Sequence, residues 1–394
     1  MKAKFLLLAA LFGIIMLGAG FVPNNNHDQV LLTILDGDDY EELWDKVKSK
    51  TDQGLPKSAL EIVDIIYSKA KEDNNAAQFV KAVLYQMRLK SDIEENYFVE
   101  AIYKLNSEIK DSREPVKQVL HSVLAEMYTT YYRANRFKLL DRSIMADYNP
   151  DDIETWDIKK INQAIINHYL ASLENQELLK KVALESFDAI LETEEASKEF
   201  RPTLYDFVAH RAADHFMLDE SSLTQPVFRF EMNKEVYLDP VPGFIKTSIS
   251  TRDSLSLKFY ALTILQDLID FHIRDNDPKA LIDVDLKRLQ FVRSNAVLEE
   301  KDSLYLKSLL YLEDVYGNYE SSTEVSYQVA RFYYERGQLY NPLESNRYKW
   351  DIRTANQIIE KAIEEYPKSF GTENCKELQK IIKKKALSLT TDYG

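Results

Sequence analysis

At 394 residues the chain is long enough for two domains or one extended array around a sizeable core. A net charge of -14 and a sequence pI near 5.1 exclude a dedicated nucleic-acid face. The one cysteine, Cys375, rules out an internal disulfide and a cysteine cluster for zinc or iron–sulfur, and scarce glycine beside plentiful Leu, Ala, Ile, Glu and Lys favours helices over turn-rich sheets.

Residues 1–20 read as an export signal. Lys2 and Lys4 form its positive end, Phe5–Leu17 its apolar stretch, and Gly18-Ala19-Gly20 offers small residues for cleavage after Gly20. No cysteine follows, which closes the lipoprotein route. The apolar run extended to Val22 is also about long enough to span a bilayer, so an uncleaved anchor stays open. Residues 21–39 are polar and read as a linker. Asp36, Asp38 and Asp39 lack the rest of a calcium-loop spacing.

From Tyr40 to residue 220 the pattern predicts an N-terminal helical array. Trp44 and Val47 share a face, Gly54-Leu55-Pro56 is a turn, and Pro56 opens a helix carrying Ala59, Ile62, Val63, Ile66 and Ala70. Asn74-Asn75 break that helix, and Ala77, Val80, Leu84 and Met87 mark the next. Asn96–Ile109 is amphipathic, and Pro115 opens a helix with Val116, Leu120, Val123, Met127 and Tyr131. Ala146–Asp157 is rich in acids but fails as an EF-hand, because Asp152 stands where Gly is needed and Ile158 where Glu is needed. Ile158, Ile161, Ile165 and Tyr169 then define a helix with His168 at its edge, and Leu173–Ile190 reads as helical. His121 and His168 read as core or boundary residues. His210 and His215 are five apart, on different faces of a helix, and so make no metal site.

Residues 221–252 change character. Pro226, Pro240, Pro242 and Gly243 interrupt the pattern, and Val227, Phe228, Phe230 and Met232 point to a short extended segment in an irregular arm that packs down. Residues 253–394 return to helices. Ser254–Phe271 carries two apolar stripes, as an inner helix of a stacked array would. Asp277-Pro278 opens a helix with Leu281, Val284, Leu286, Leu289 and Val292, Ser303–Tyr316 follows, and Glu373–Leu387 is the last helix.

Between these, Ser322–Ser369 carries the register of a tetratricopeptide hairpin. Tyr333, Gly337 and Tyr340 fit the first half; Ala355, Ile359, Ala362 and Pro367 fit the second, with an insertion around Asn341–Lys349. Ala355 and Ala362 let the neighbouring helix approach, Ile359 and Tyr333 fill the groove, and Pro367 cannot continue the helix. The fold expected is all-α: a right-handed stack of tetratricopeptide-like helix hairpins, an α-solenoid. The chain carries no G-x-S-x-G elbow, phosphate-binding Gly loop or dinucleotide fingerprint, and no enzyme activity, cofactor or metal is expected.

Seven stretches, in the same order, resemble the N-terminal helical region of the large bacterial alpha-2-macroglobulin family proteins of Bacteroidetes type. They are Tyr40–Trp44, Gly54–Leu60, Asp151–Asp157, His168–Glu174, Arg201–Phe207, Asp253–Lys258 and Ala280–Leu286. The resemblance implies a place in a protease trap, in which a cut bait segment triggers closure and an internal thioester captures the attacker. Bait, thioester and β-sandwich domains lie beyond the family's helical region and are not in this sequence. Cys375-Lys376-Glu377-Leu378 departs from the thioester pattern Cys-x-Glu-Gln, because Leu378 replaces the acylating Gln. The expectation is therefore a non-catalytic, exported scaffold of the periplasm or cell envelope. Its partners would be proteins: β-domains of a larger family member or of an adjacent chain, and proteases only indirectly. Membrane contact is expected only through an uncleaved signal segment. The alternative is a stand-alone tetratricopeptide-like envelope adaptor, for example of glycan-binding type.

Overall fold

The computed structural model describes residues 40–141, 149–191, 195–218 and 229–384. The expected signal segment, the linker, Val227 and Phe228 lie outside the described residues. The chain divides into two compact units, one reaching to Ala212 and the other beginning at Ala213. Each is all-helical, and the described residues form no strand beyond a single antiparallel bridge between Ala183 and Thr203.

The first unit opens with helices α1 (Tyr40–Asp52), α2 (Pro56–Glu72) and α3 (Ala76–Ile93), each packed on the next. Gly54 takes φ +71°, which turns the chain between α1 and α2, and Pro56 sits in the first turn of α2. Asn74 at φ +52° ends α2 and the Asn75 side chain accepts the Gln78 N–H to start α3, so the Asn pair is the hairpin itself. Leu43, Val47, Ala59, Ile62, Val63, Ile66, Ala82 and Leu89 make one core, edged by Tyr40, Trp44, Tyr67 and Tyr85. Helices α4 (Tyr97–Asp111), α5 (Val116–Asp141) and α6 (Ile158–Ala171) continue the hairpin packing.

After α6 the helical expectation for Leu173–Ile190 is corrected. Asn175 turns left-handed at φ +55°, only one turn of α-helix follows in α7 (Gln176–Leu179), and Leu184–Ile190 is 3-10. The reason is tertiary. Leu184 N–H donates to the Pro202 carbonyl at 2.8 Å and Leu204 N–H to that of Val182 at 2.9 Å, and these bonds hold Val182–Leu184 open as a strand-like bridge. Leu184 and Phe187 still bury, and their segment packs on α3. Helices α8 (Glu195–Phe200) and α9 (Leu204–Phe216) complete the run, α9 crossing the boundary between the units.

In the second unit the described part of the arm, residues 229–252, contains a 3-10 turn at Glu235–Leu238 and the single turn α10 (Val241–Phe244). Phe230 and Met232 are buried, so the arm packs down, and it forms no strand among the described residues. It lies against α12 (Lys279–Asn295) and α13 (Lys301–Tyr316). Arg288 of α12 is the anchor. Its guanidinium donates to the carbonyls of Tyr237 (2.7 Å) and Asp239 (3.0 Å), pairs with Asp285 (2.7 Å) and lies 4.3 Å over the Phe244 ring. Ser308 donates to the Leu238 carbonyl, and Gln266 donates to those of Phe244 and Thr247, both at 2.9 Å. An irregular segment needs side-chain donors because it has no ladder of its own.

Helix α11 (Leu257–His272) buries Ala261, Leu262, Ile264, Leu265, Leu268 and Ile269 on both of its expected stripes. The unit closes with α14 (Ser322–Gly337), α15 (Asp351–Glu365) and α16 (Phe370–Lys383). The last helix starts three residues before the expected Glu373, because the Thr372 hydroxyl bonds back to the Tyr366 carbonyl and folds the turn after Pro367 into the helix start.

Candidate functional site

The tetratricopeptide-type residues come together at the α14–α15 hairpin. Ala330, Ala355, Ile359 and Ala362 form one core with Cys375 and Leu378 of α16, and Tyr333 packs against it half-buried. Gly337 ends α14 where α15 begins to pack: a Cβ there would lie 2.6 Å from Ile352 Cγ1 and 3.0 Å from the Ile352 nitrogen. Pro367 lies in the turn directly after α15. Tyr340 falls three residues beyond the end of α14, its N–H closing a turn onto the Gly337 carbonyl. Six of the seven repeat residues thus sit in the hairpin or its closing turn, and Tyr340 belongs to the insertion.

The loop around that insertion, residues 338–350, carries three strongly exposed apolar side chains. Leu339 is 71 %, Leu343 94 % and Trp350 61 % exposed. The loop is nonetheless tied down. The Arg336 guanidinium pairs with Asp351 and lies 4.9 Å from the centre of the Tyr333 ring and 5.1 Å from that of Tyr348, so it joins α14, the loop and α15. Leu343 N–H donates to the Asn341 side chain at 3.1 Å and Arg347 N–H to the Ser345 hydroxyl at 3.2 Å. Tyr348 is held left-handed at φ +66°, a conformation a tyrosine keeps only when its surroundings fix it. Arg347, Lys349 and Arg353 are exposed beside Trp350, which makes the patch locally basic on an acidic chain. A pre-organised loop with Trp and Arg at its surface and a half-exposed Tyr beside them has the aromatic and arginine composition of a contact hot spot.

Comparison with known proteins returns nothing. No family model, no curated protein and no solved structure matches the chain. The alpha-2-macroglobulin resemblance therefore stands on its seven sequence stretches alone.

The other titratable clusters are explained by packing. His121 of α5 and His168 of α6 face each other with 2.8 Å between their Nδ1 atoms, and Tyr128 stacks on His168 and on Trp156. Burial pushes both imidazoles down to about 4, so at neutral pH both are uncharged, one donating and one accepting. Among the described residues no group of three His, Cys, Asp or Glu is placed to hold a metal ion. In the acid-rich loop Asp152 accepts the Glu154 N–H and Asp157 caps α6 through the Lys160 N–H at 2.7 Å, so these carboxylates serve helix starts. His210 is buried on α9.

One buried acid has no signal in the sequence. Ser321-Ser322-Thr323-Glu324 has the spacing of a capping box, which places a glutamate at the exposed start of a helix. In the structure Ser321 is helical and makes no cap bond, and Glu324 is only 7 % exposed, under α16. Its carboxylate accepts from Asn374 Nδ2 at 3.1 Å and 3.5 Å.

Proposed function

We propose that this chain is a non-catalytic helical scaffold that acts by protein–protein contact in an exported, alpha-2-macroglobulin-like protease-trap system. It would hold β-domains of a larger protein, or of an adjacent chain, in position within the periplasm or envelope. The observation that supports this most is the Arg336-clamped loop at residues 338–350, which presents Leu339, Leu343 and Trp350 to solvent from a fixed frame. Burying such side chains in a partner yields roughly 1.5–3 kcal/mol each, and the fixed frame lowers the ordering cost. The test is the size of the protein in the cells that make it, by immunoblot, with the sequence of the locus downstream of Gly394. A much larger product, or an adjacent frame encoding β-domains with a Cys-x-Glu-Gln motif, supports the trap system. A stable product of this size with no such neighbour removes the inhibitor assignment.

Tyr348 and Trp350, aromatic and beside Arg347, favour a second reading: a stand-alone adaptor whose aromatic surface takes a glycan. Affinity electrophoresis in polysaccharide gels separates the two. Retardation that Trp350→Ala abolishes supports the adaptor, and unretarded migration through every gel counts against it.

A further inference from the structure

The joint between α14 and α16 is close and polar. A Cβ on Gly371 of α16 would lie 2.5 Å from the backbone nitrogen of Glu324, so the two backbones nearly touch. Around that crossing Thr323 and Ser369 share a hydrogen bond of 2.8 Å, Ser369 bonds Thr372 at 2.8 Å, and the Cys375 thiol faces the Thr323 carbonyl. The Glu324 carboxyl sits inside this joint.

No cation among the described residues pairs with it. From α16 it meets the Asn374 amide and the Cys375 thiol, and from α12 it meets the like charge of Asp283. Glu313 of α13 accepts from the Ser326 hydroxyl, half a turn further along α14. At the far end of α14 Arg336 is engaged by Asp351 of α15, and Lys279 is engaged by Glu320 before α14 begins. A carboxylate closed in with one amide donor and no side-chain cation among the described residues is far costlier than the neutral acid.

From this geometry we propose that the α14–α16 joint is a proton-operated latch, with α16 docked while Glu324 holds its proton and loosened when that proton passes to solvent. Burial holds the Glu324 carboxyl up at about 7; the Asn374 hydrogen bond and the positive charge of the chain's N-terminus oppose the rise, and Asp283 adds to it. In an opened joint the group returns to its ordinary 4.5. Docking is thus strongest below the opened-state value, weakens as pH rises from 4.5 to about 7, and is level above that.

Cys375 reports the latch directly, because it is the chain's one thiol and is fully buried in the docked joint. Burial, helped by Glu324, also pushes the thiol up to about 12, so reaction proceeds through opening. The experiment is labelling of the full chain with 4,4′-dithiodipyridine across the pH range, each rate divided by that of the urea-unfolded chain at the same pH. Protection of Cys375 should fall on the order of 100-fold between about pH 4.5 and about pH 8. Glu324→Gln should hold it flat and high, and Asn374→Ala should move the midpoint upward. A flat profile in the wild-type chain overturns the proposal whatever the variants do. So does a Glu324→Gln variant that keeps the slope, or a labelling rate equal at every pH to global unfolding followed by tryptophan fluorescence.

Discussion

Arg288 and Asp285 are both fully buried, and what they hold decides their value. An ion pair of this kind contributes little against a well-packed apolar substitute, but removing one partner leaves the other charged and closed in. Here the arginine also satisfies two carbonyls of the arm, while burial pushes the Asp285 carboxyl up and Arg288 pulls it back down. Arg288→Met should lower stability by roughly 3–5 kcal/mol, read as the urea midpoint, with residues 235–247 losing hydrogen-exchange protection first. An unchanged midpoint would mean the arm is held by its apolar side chains alone. Neither residue was legible in the sequence. Oppositely charged residues at i and i+3 usually lie on a solvated helix face, and only the enclosure of α12 on nearly all sides makes this pair internal. Glu324 escaped for a related reason, since its capping-box spacing describes a surface acid.

At the scale of the element, periodicity and turn residues located nearly every long helix. The two stripes of α11 predicted burial on two sides, and α11 buries both. Pro56 and Asn74-Asn75 marked helix ends because their backbone preferences are local and need no tertiary help. Leu173–Ile190 went the other way: its apolar spacing is helical, but hydrogen bonds to Pro202 and Leu204, far along the chain, set its backbone. The insertion at 341–349 was visible as a gap in the repeat, whereas the exposure of Leu339, Leu343 and Trp350 was not, since apolar residues at a helix end read as core. Two glycines separate local from tertiary demands. At Gly371 an added methyl meets the backbone of Thr323 and Glu324 at 2.5 Å, while at Gly337 it meets the Ile352 side chain at 2.6 Å, which can turn away, and the Ile352 backbone nitrogen only at 3.0 Å. Gly371→Ala should therefore destabilise by about 1–3 kcal/mol in spite of its better helix propensity, and Gly337→Ala by less. Thermal unfolding of the two variants checks the order, and the reverse order would place the tight crossing at the hairpin instead.

At the scale of the whole molecule, the two units should answer acid in opposite senses. In the first, His121 and His168 are held down at about 4 by burial, against an ordinary 6.5. Their unfolded forms take up protons first, so the α5–α6 packing is at full strength above pH 6.5 and weakens as pH falls through 4. In the second, the raised Glu324 carboxyl strengthens the α14–α16 joint as pH falls from about 7 to 4.5. Hydrogen exchange corrected for intrinsic rates should show α5 and α6 losing protection on acidification while α14 and α16 gain it. Parallel slopes in both units would contradict the assignment of the two buried groups.

The central claim is that the chain works by contact through the loop after α14, and crosslinking from that loop tests it most directly. A photo-reactive amino acid placed at position 343, expressed in the cells that make the protein, reads what touches the loop. The same probe at Lys361, exposed on α15, serves as the reference. A single defined protein adduct at 343, absent at 361 and carrying β-domains, is the result expected. No adduct at 343, or the same products from both positions, would contradict it.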